Sequence, residues 1–213
     1  MIRVALVDDQ PLFRGGIAMI LSSQPDIEVV AQESSAMGLA QMVRDAAPDL
    51  ILMDVRMPGI DGITATGQLI AEFGDAAPKI LVLTTFDVDE AAARAIEVGA
   101  SGFVLKDAQP DFLLASVRAV ADGSQVVAAS ATRQLFERHG ARTSGPGPEY
   151  DTLTTREREI ALRAAAGLSN SEIAEKEFLS EATVKTHISR ILSKLDLRDR
   201  VQLVVYAYEH GLV

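Results

Sequence analysis

The sequence predicts an α/β doubly wound domain with a five-stranded parallel sheet, followed by a small all-α domain of four helices that contains a helix-turn-helix. Three observations lead there. Over residues 1–122 a short apolar run, a polar turn and a segment of helical period recur five times, the pattern of a parallel sheet with helices on both faces. The stretch Arg142-Thr-Ser-Gly-Pro-Gly-Pro148 then interrupts the chain with more glycine and proline than a helix tolerates. Beyond it the strand-like runs stop and helix-start signals follow one another at short intervals.

Strands fit Arg3–Val7, Ile27–Ala31, Leu50–Met53, Lys79–Thr84 and Gly102–Leu105. Between and after them, Leu12/Ile17/Ile20/Leu21, Leu39/Met42/Val43, Ile63/Leu69/Ile70, Ala92/Ala95/Ile96 and Phe112/Leu113/Val117/Val120 mark the buried sides of five helices. Residues 1–122 therefore form the first domain. Residues 123–149 read as a linker with a short helix around Ala131–Arg138, and residues 150–213 as the second domain. There, Thr154-Thr-Arg-Glu157 and Ser169-Asn-Ser-Glu172 both match the capping box, in which hydroxyl and carboxylate satisfy orphan amides at a helix start. The second of these opens a helix over Asn170–Lys176. Ser180 is placed to cap a third helix, Glu181–Lys194, and a fourth spans about Asp199–His210 and stops at Gly211.

Composition excludes several function classes. No apolar run approaches the ~18 residues of a membrane span, and MIRVALVDD enters strand-like sequence without the features of an export signal, so a cytoplasmic protein with no membrane partner is expected. The absence of cysteine removes disulfides, thiolate metal sites and cysteine nucleophiles. A net charge of -10 argues against nucleic acid if read for the whole chain. The acidity is uneven, however: residues 1–147 hold 11 Lys+Arg against 19 Asp+Glu, whereas residues 148–213 hold 9 against 11.

In a doubly wound sheet, ligands gather at the C-terminal ends of the strands. Asp8 and Asp9 follow the first strand, Asp54 the third; Thr84 ends the fourth and Lys106 follows the fifth. Any one of them alone reads as a turn former, a cap or a solvated side chain. Together they are an all-oxygen site suited to Mg²⁺, in which a carboxylate can attack a phosphoryl donor. Lys106 would balance the added charge and Thr84 offer a hydroxyl.

The motifs VDD, LMDVRMPGIDG, LTTF and GFVLKD around these residues closely resemble the flavodoxin-like receiver domain of bacterial response regulators, over about residues 1–122. The resemblance implies Asp54 as phosphoacceptor and Mg²⁺ held by Asp8, Asp9, Asp54 and the backbone carbonyl of Arg56. It further implies a switch pair, Thr84 and Phe103, that alters the surface around the fourth helix and the fifth strand; the competing, weaker reading of Phe103 is an ordinary core aromatic. Lys106-Asp107 replaces the Lys-Pro of many receivers and so removes the proline that favours a cis peptide there. A phosphatase of the haloacid-dehalogenase type needs two aspartates two residues apart after the first strand, a spacing that adjacent Asp8-Asp9 lack.

In the second domain, Val184, Ile188, Ile191 and Leu195 form one stripe of the third helix, with Lys185, Thr186, Ser189 and Arg190 largely off it. Such a helix is by itself only amphipathic. Its short connection through Phe178-Leu-Ser180 to the preceding capped helix makes it the second helix of a helix-turn-helix, the one that enters the major groove. LTTREREIALRAAAGLSNSEIA and LSEATVKTHISRILSKLDLRDR resemble the LuxR-type DNA-binding domain of the NarL/FixJ group of response regulators. On that resemblance Lys185, Thr186 and Ser189 read bases, Thr183, His187, Arg190 and Lys194 lie nearer phosphates, and Asn170 and Ser171 contact the backbone at a helix start. The final helix carries too many apolar residues for one stripe, so Val201, Val204, Val205 and Tyr208 are expected at a homodimer interface, unless the helix is simply buried. The whole reads as a non-enzymatic regulator: a sensor histidine kinase phosphorylates Asp54, and the dimer binds a double-stranded DNA operator.

Overall fold

The computed structural model describes residues 1–84, 94–122 and 145–213, and the chain divides into two compact units, Met1–Asp122 and Gly123–Val213. The predicted helix around residues 131–138 lies outside the described residues, as does Ala92.

The first unit runs β1 (Ile2–Val7), α1 (Pro11–Ser22), β2 (Ile27–Glu33), α2 (Leu39–Ala46), β3 (Leu50–Asp54), α3 (Gly62–Phe73), β4 (Lys79–Thr84), β5 (Gly102–Leu105) and α4 (Pro110–Ala121). Residues 94–97, before β5, are helical, and Ala95 and Ile96 there are buried. The five strands pair in the order β2-β1-β3-β4-β5, all parallel. Strand alternation divides the core: Val4, Leu6, Leu50, Leu52, Leu81, Leu83 and Val104 pack with Ile17, Leu21, Leu113 and Val117 of α1 and α4.

Two apolar residues assigned to buried stripes point elsewhere. Leu12 is 93% exposed, because five residues of helix carry it about 140° round from Ile17, onto the side of exposed Met19. Phe112, in the first turn of α4, is 44% exposed.

The described residues of the second unit form a 3₁₀ turn, Pro148–Thr152, and four helices: α5 (Thr155–Ala165), α6 (Asn170–Glu177), α7 (Glu181–Lys194) and α8 (Arg200–Glu209). Both capping boxes form, Ser180 caps α7, and Asp199 caps α8 by accepting from the amides of Val201 and Gln202. The α7 stripe of Val184, Ile188, Ile191 and Leu195 joins Ile160, Ala164 and Ile173 in one core. Phe178 turns the chain between α6 and α7 with φ 54° while its side chain stays 95% exposed. No described helix is long and apolar enough to cross a membrane.

Candidate functional site

The register of the sheet explains the crevice at its C-terminal edge. Leu6 pairs with Leu52, so Asp8, two residues on, comes level with Asp54 on the same face. Val104 lies on that face too, and Lys106 continues its alternation at the end of β5. From there the lysine reaches past β4, and its Nζ stands 2.7 Å from Asp8 Oδ2 and 2.8 Å from Asp54 Oδ2. Asp8 and Asp54 are 2% and 3% exposed. Lys106 Nζ also sits 4.7 Å from the centre of the Phe13 ring.

One ammonium thus faces two buried carboxylates. Burial pushes the Asp54 carboxyl above the ordinary range, and neighbouring Asp8 adds to the rise, against the pull of Lys106. Burial alone would lower the Lys106 pKa; its hydrogen bonds to Asp54 and Asp8 outweigh this and hold it above the ordinary value. The third carboxylate is less well served, since Asp9 Oδ1 is buried without a hydrogen-bond partner. Asp8, Asp9 and Asp54 each offer an oxygen within 4.8 Å of the others. Asp8 Oδ1 accepts from the amide of Gln10 at 2.8 Å, and Asp54 Oδ1 from the amide of Arg56 at 3.3 Å.

An open cleft beside the carboxylates is lined by Asp9, Arg56, Met57, Thr84 and Arg94. Thr84 is buried on the opposite face of the sheet from Asp54, and Phe103, half-buried, lies on that same face one register step away, paired with Val82. The structure therefore brings Asp8, Asp9, Asp54 and Lys106 together, with Thr84 at the adjoining cleft.

Gly62 is a residue that the sequence reading missed. It opens α3 after the Asp61 cap, and its amide donates to Val55 O at 2.9 Å. A β-carbon built on it would lie 1.9 Å from the carbonyl oxygen of Asp54 and 2.9 Å from its carbonyl carbon. Main-chain atoms cannot swing aside as a side-chain tip can, so only glycine lets α3 start this close to the end of β3. The signal was its place eight residues after Asp54 in a turn-rich loop, but the approach itself is a tertiary fact.

In the second unit, Lys185, Thr186, Ser189 and Arg190 are exposed on α7, and Thr183 and His187 are half-buried. The Thr186 hydroxyl donates back to Ala182 O, and the Thr183 and Ser180 hydroxyls share a hydrogen bond at the cap. Asn170 and Ser171 stand in the first turn of α6, where Ser171 Oγ meets Ser169 Oγ at 2.9 Å. Lys194 is exposed at the end of α7, and its Nζ donates to Glu157 Oε2 at 2.7 Å and Thr152 O at 3.2 Å. Val201, Val204, Val205 and Tyr208 are all buried within the single chain.

The comparisons agree with these two arrangements. Residues 4–118 match the family model of the response regulator receiver domain, and residues 151–207 that of the bacterial regulatory proteins of the luxR family. The transcriptional regulatory protein LiaR of Bacillus subtilis is 40% identical, with the whole of each chain covered. The response regulator protein VraR of Staphylococcus aureus is 38% identical over 100% of this chain and 99% of its own. Among solved structures, the response regulator ChrA of a heme-sensing two-component system aligns with a TM-score of 0.53 at 38% identity, over 100% of this chain and 98% of that one. The chain belongs to the response regulators of two-component systems, with a receiver domain followed by a LuxR-type DNA-binding domain.

Proposed function

We propose that Asp54 accepts a phosphoryl group from a sensor histidine kinase, and that this modification controls dimerisation and sequence-specific binding to a double-stranded DNA operator in the cytoplasm. The observation that carries the reading is Lys106 Nζ held between Asp8 and Asp54 at 2.7 and 2.8 Å, in a crevice open to a cleft. An Asp54 oxygen attacks phosphorus, an O–P bond forms, and the P–N bond of the donor phosphohistidine breaks as the imidazole nitrogen leaves and takes up a proton. Lys106 is positioned to follow the charge from carboxylate to phosphoryl oxygen. Thr84 can then turn its hydroxyl to that group, with Phe103 moving into the space it leaves.

An all-oxygen donor set with a buried, unpartnered Asp9 oxygen fits Mg²⁺. Asp8, Asp9, Asp54 and the carbonyl of Arg56 would hold the ion, which when bound neutralises phosphoryl charge. The role is that of a switch, with no metabolic reaction of its own. Lys185, Thr186 and Ser189 read bases, while Thr183, His187, Arg190, Asn170 and Ser171 meet the backbone. Lys194, an exposed lysine that also pairs with Glu157, lies with these backbone contacts. Because Val201, Val204, Val205 and Tyr208 are covered in the single chain, pairing through α8 requires that they be exposed first, a step that phosphorylation can bias. The test is labelling by acetyl phosphate with and without EDTA, followed by a gel shift on genomic fragments. Mg²⁺-dependent labelling that tightens DNA binding supports the reading; identical shifts with and without phosphate overturn the switch.

A further inference from the structure

Arg200 is among the largest fully buried side chains of the molecule, 1% exposed at the first position of α8. No carboxylate forms an ion pair with it among the described residues. Burial pushes its pKa down to about 10, against the opposing charge of Glu172 nearby, and its Nε has no hydrogen-bond partner. A buried cation with no carboxylate in contact is a costly choice where an apolar residue could pack, so its contacts call for an explanation. Nη2 donates to Leu168 O and, at 3.5 Å, to Ala164 O, closing the end of α5. Nη1 donates to Asn170 Oδ1 at 2.8 Å.

The last contact settles which way the Asn170 amide faces. A guanidinium has donors only, so the oxygen of the amide must turn toward Arg200 and its NH₂ away from it. Asn170 is half-buried at the first helical position of α6, the helix that crosses the DNA backbone in a helix-turn-helix. The capping box already engages the Ser169 hydroxyl and the Glu172 carboxylate at this helix start, which leaves the Asn170 nitrogen as an additional donor.

We propose that Arg200 is a positioning residue for DNA binding: it holds Asn170 with its amide nitrogen outward, as a donor to a backbone phosphate. The inference rests on the DNA-binding reading above. A domain with 9 Lys+Arg against 11 Asp+Glu over residues 148–213 has little charge with which to attract phosphate, so a pre-aimed neutral donor carries more of the affinity.

The test uses the full chain and two unrelated random-sequence duplexes, with affinity read by anisotropy at low salt. Asn170→Ala should weaken binding about fivefold on both duplexes alike, the effect of one phosphate hydrogen bond. Asn170→Asp should weaken it further, since a carboxylate then faces phosphate, and should raise the melting temperature because buried Arg200 gains a counter-ion. Arg200→Met should lower affinity as Asn170→Ala does, and the double variant should lose no more than either alone. Wild-type affinity in Asn170→Ala overturns the proposal even if Arg200→Met fails to fold, and so do strictly additive losses in the double variant. A wild-type chain that binds neither duplex would refute the DNA-binding reading itself, a failure that is distinct from the others.

Discussion

The crevice of the receiver domain and the helix starts of the C-terminal domain are built from the same residue types, and their polar groups fare differently. At the start of α5, Glu157 accepts from the Thr154 amide, the Thr154 hydroxyl and Lys194. These contacts, Lys194 first, hold its carboxyl down to about 2. At the end of β3, Asp54 is pushed upward by burial and faces another buried carboxylate across one shared lysine. A satisfied carboxylate stabilises its domain and has no reason to react. A carboxylate held in conflict is stabilised by whatever brings positive charge, and that makes it responsive to a cation.

The widest contrast comes from removing Asp54. Asp54→Asn should abolish labelling by acetyl phosphate, read by intact mass, while the C-terminal domain melts as before; undiminished labelling would place the acceptor elsewhere. All three tyrosines, Tyr150, Tyr206 and Tyr208, lie in the second unit and the chain has no tryptophan. Tyrosine fluorescence therefore follows that domain alone. Gly62→Ala should slow labelling by up to about a hundredfold, since a displacement on the order of 1 Å at a reacting group has that effect. Labelling at the wild-type rate would show that the Asp54 main chain gives way. Lys185→Ala should cost about 1–3 kcal/mol of discrimination between operator and unrelated DNA, measured by competition binding; unchanged preference removes it from base readout.

Smaller effects belong to the satisfied side. Glu157→Ala should destabilise the C-terminal domain by about 1–2 kcal/mol, as the loss of a cap does, read as a lower urea midpoint in tyrosine fluorescence. The pH dependence has a definite sign. Glu157 is lowered from its ordinary 4.5 to about 2 in the fold, so its contribution is complete above about pH 4.5 and declines as pH falls toward 2. In Glu157→Ala this part of the acid sensitivity should disappear. The smallest change is a gain: Phe178 holds φ 54° with its ring in solvent, so Phe178→Gly should stabilise the domain by about 0.5 kcal/mol, strain relief exceeding added chain entropy. A loss there would show that the ring has a partner.

Much of this protein was legible in its residue order because the physics concerned is local. Alternating apolar runs, Thr154 and Glu157, Ser169 and Glu172, and Ser180 before α7 each act within a few positions, and the structure forms all of them. Asp8, Asp9, Asp54 and Lys106 were legible as a group because strand ends in a doubly wound sheet share an edge. Other features depended on contacts between residues far apart in sequence. The sharing of Lys106 by Asp8 and Asp54 follows from strand register. The pairing of Lys194 with Glu157 joins the end of α7 to the start of α5, 37 residues apart in sequence. The burial of Arg200 against Asn170, and the close approach of Gly62 to the Asp54 carbonyl, arise where separate elements meet. Local sequence specifies propensity and capping over a few residues; long-range packing decides which polar groups are paired and which are left to do chemistry.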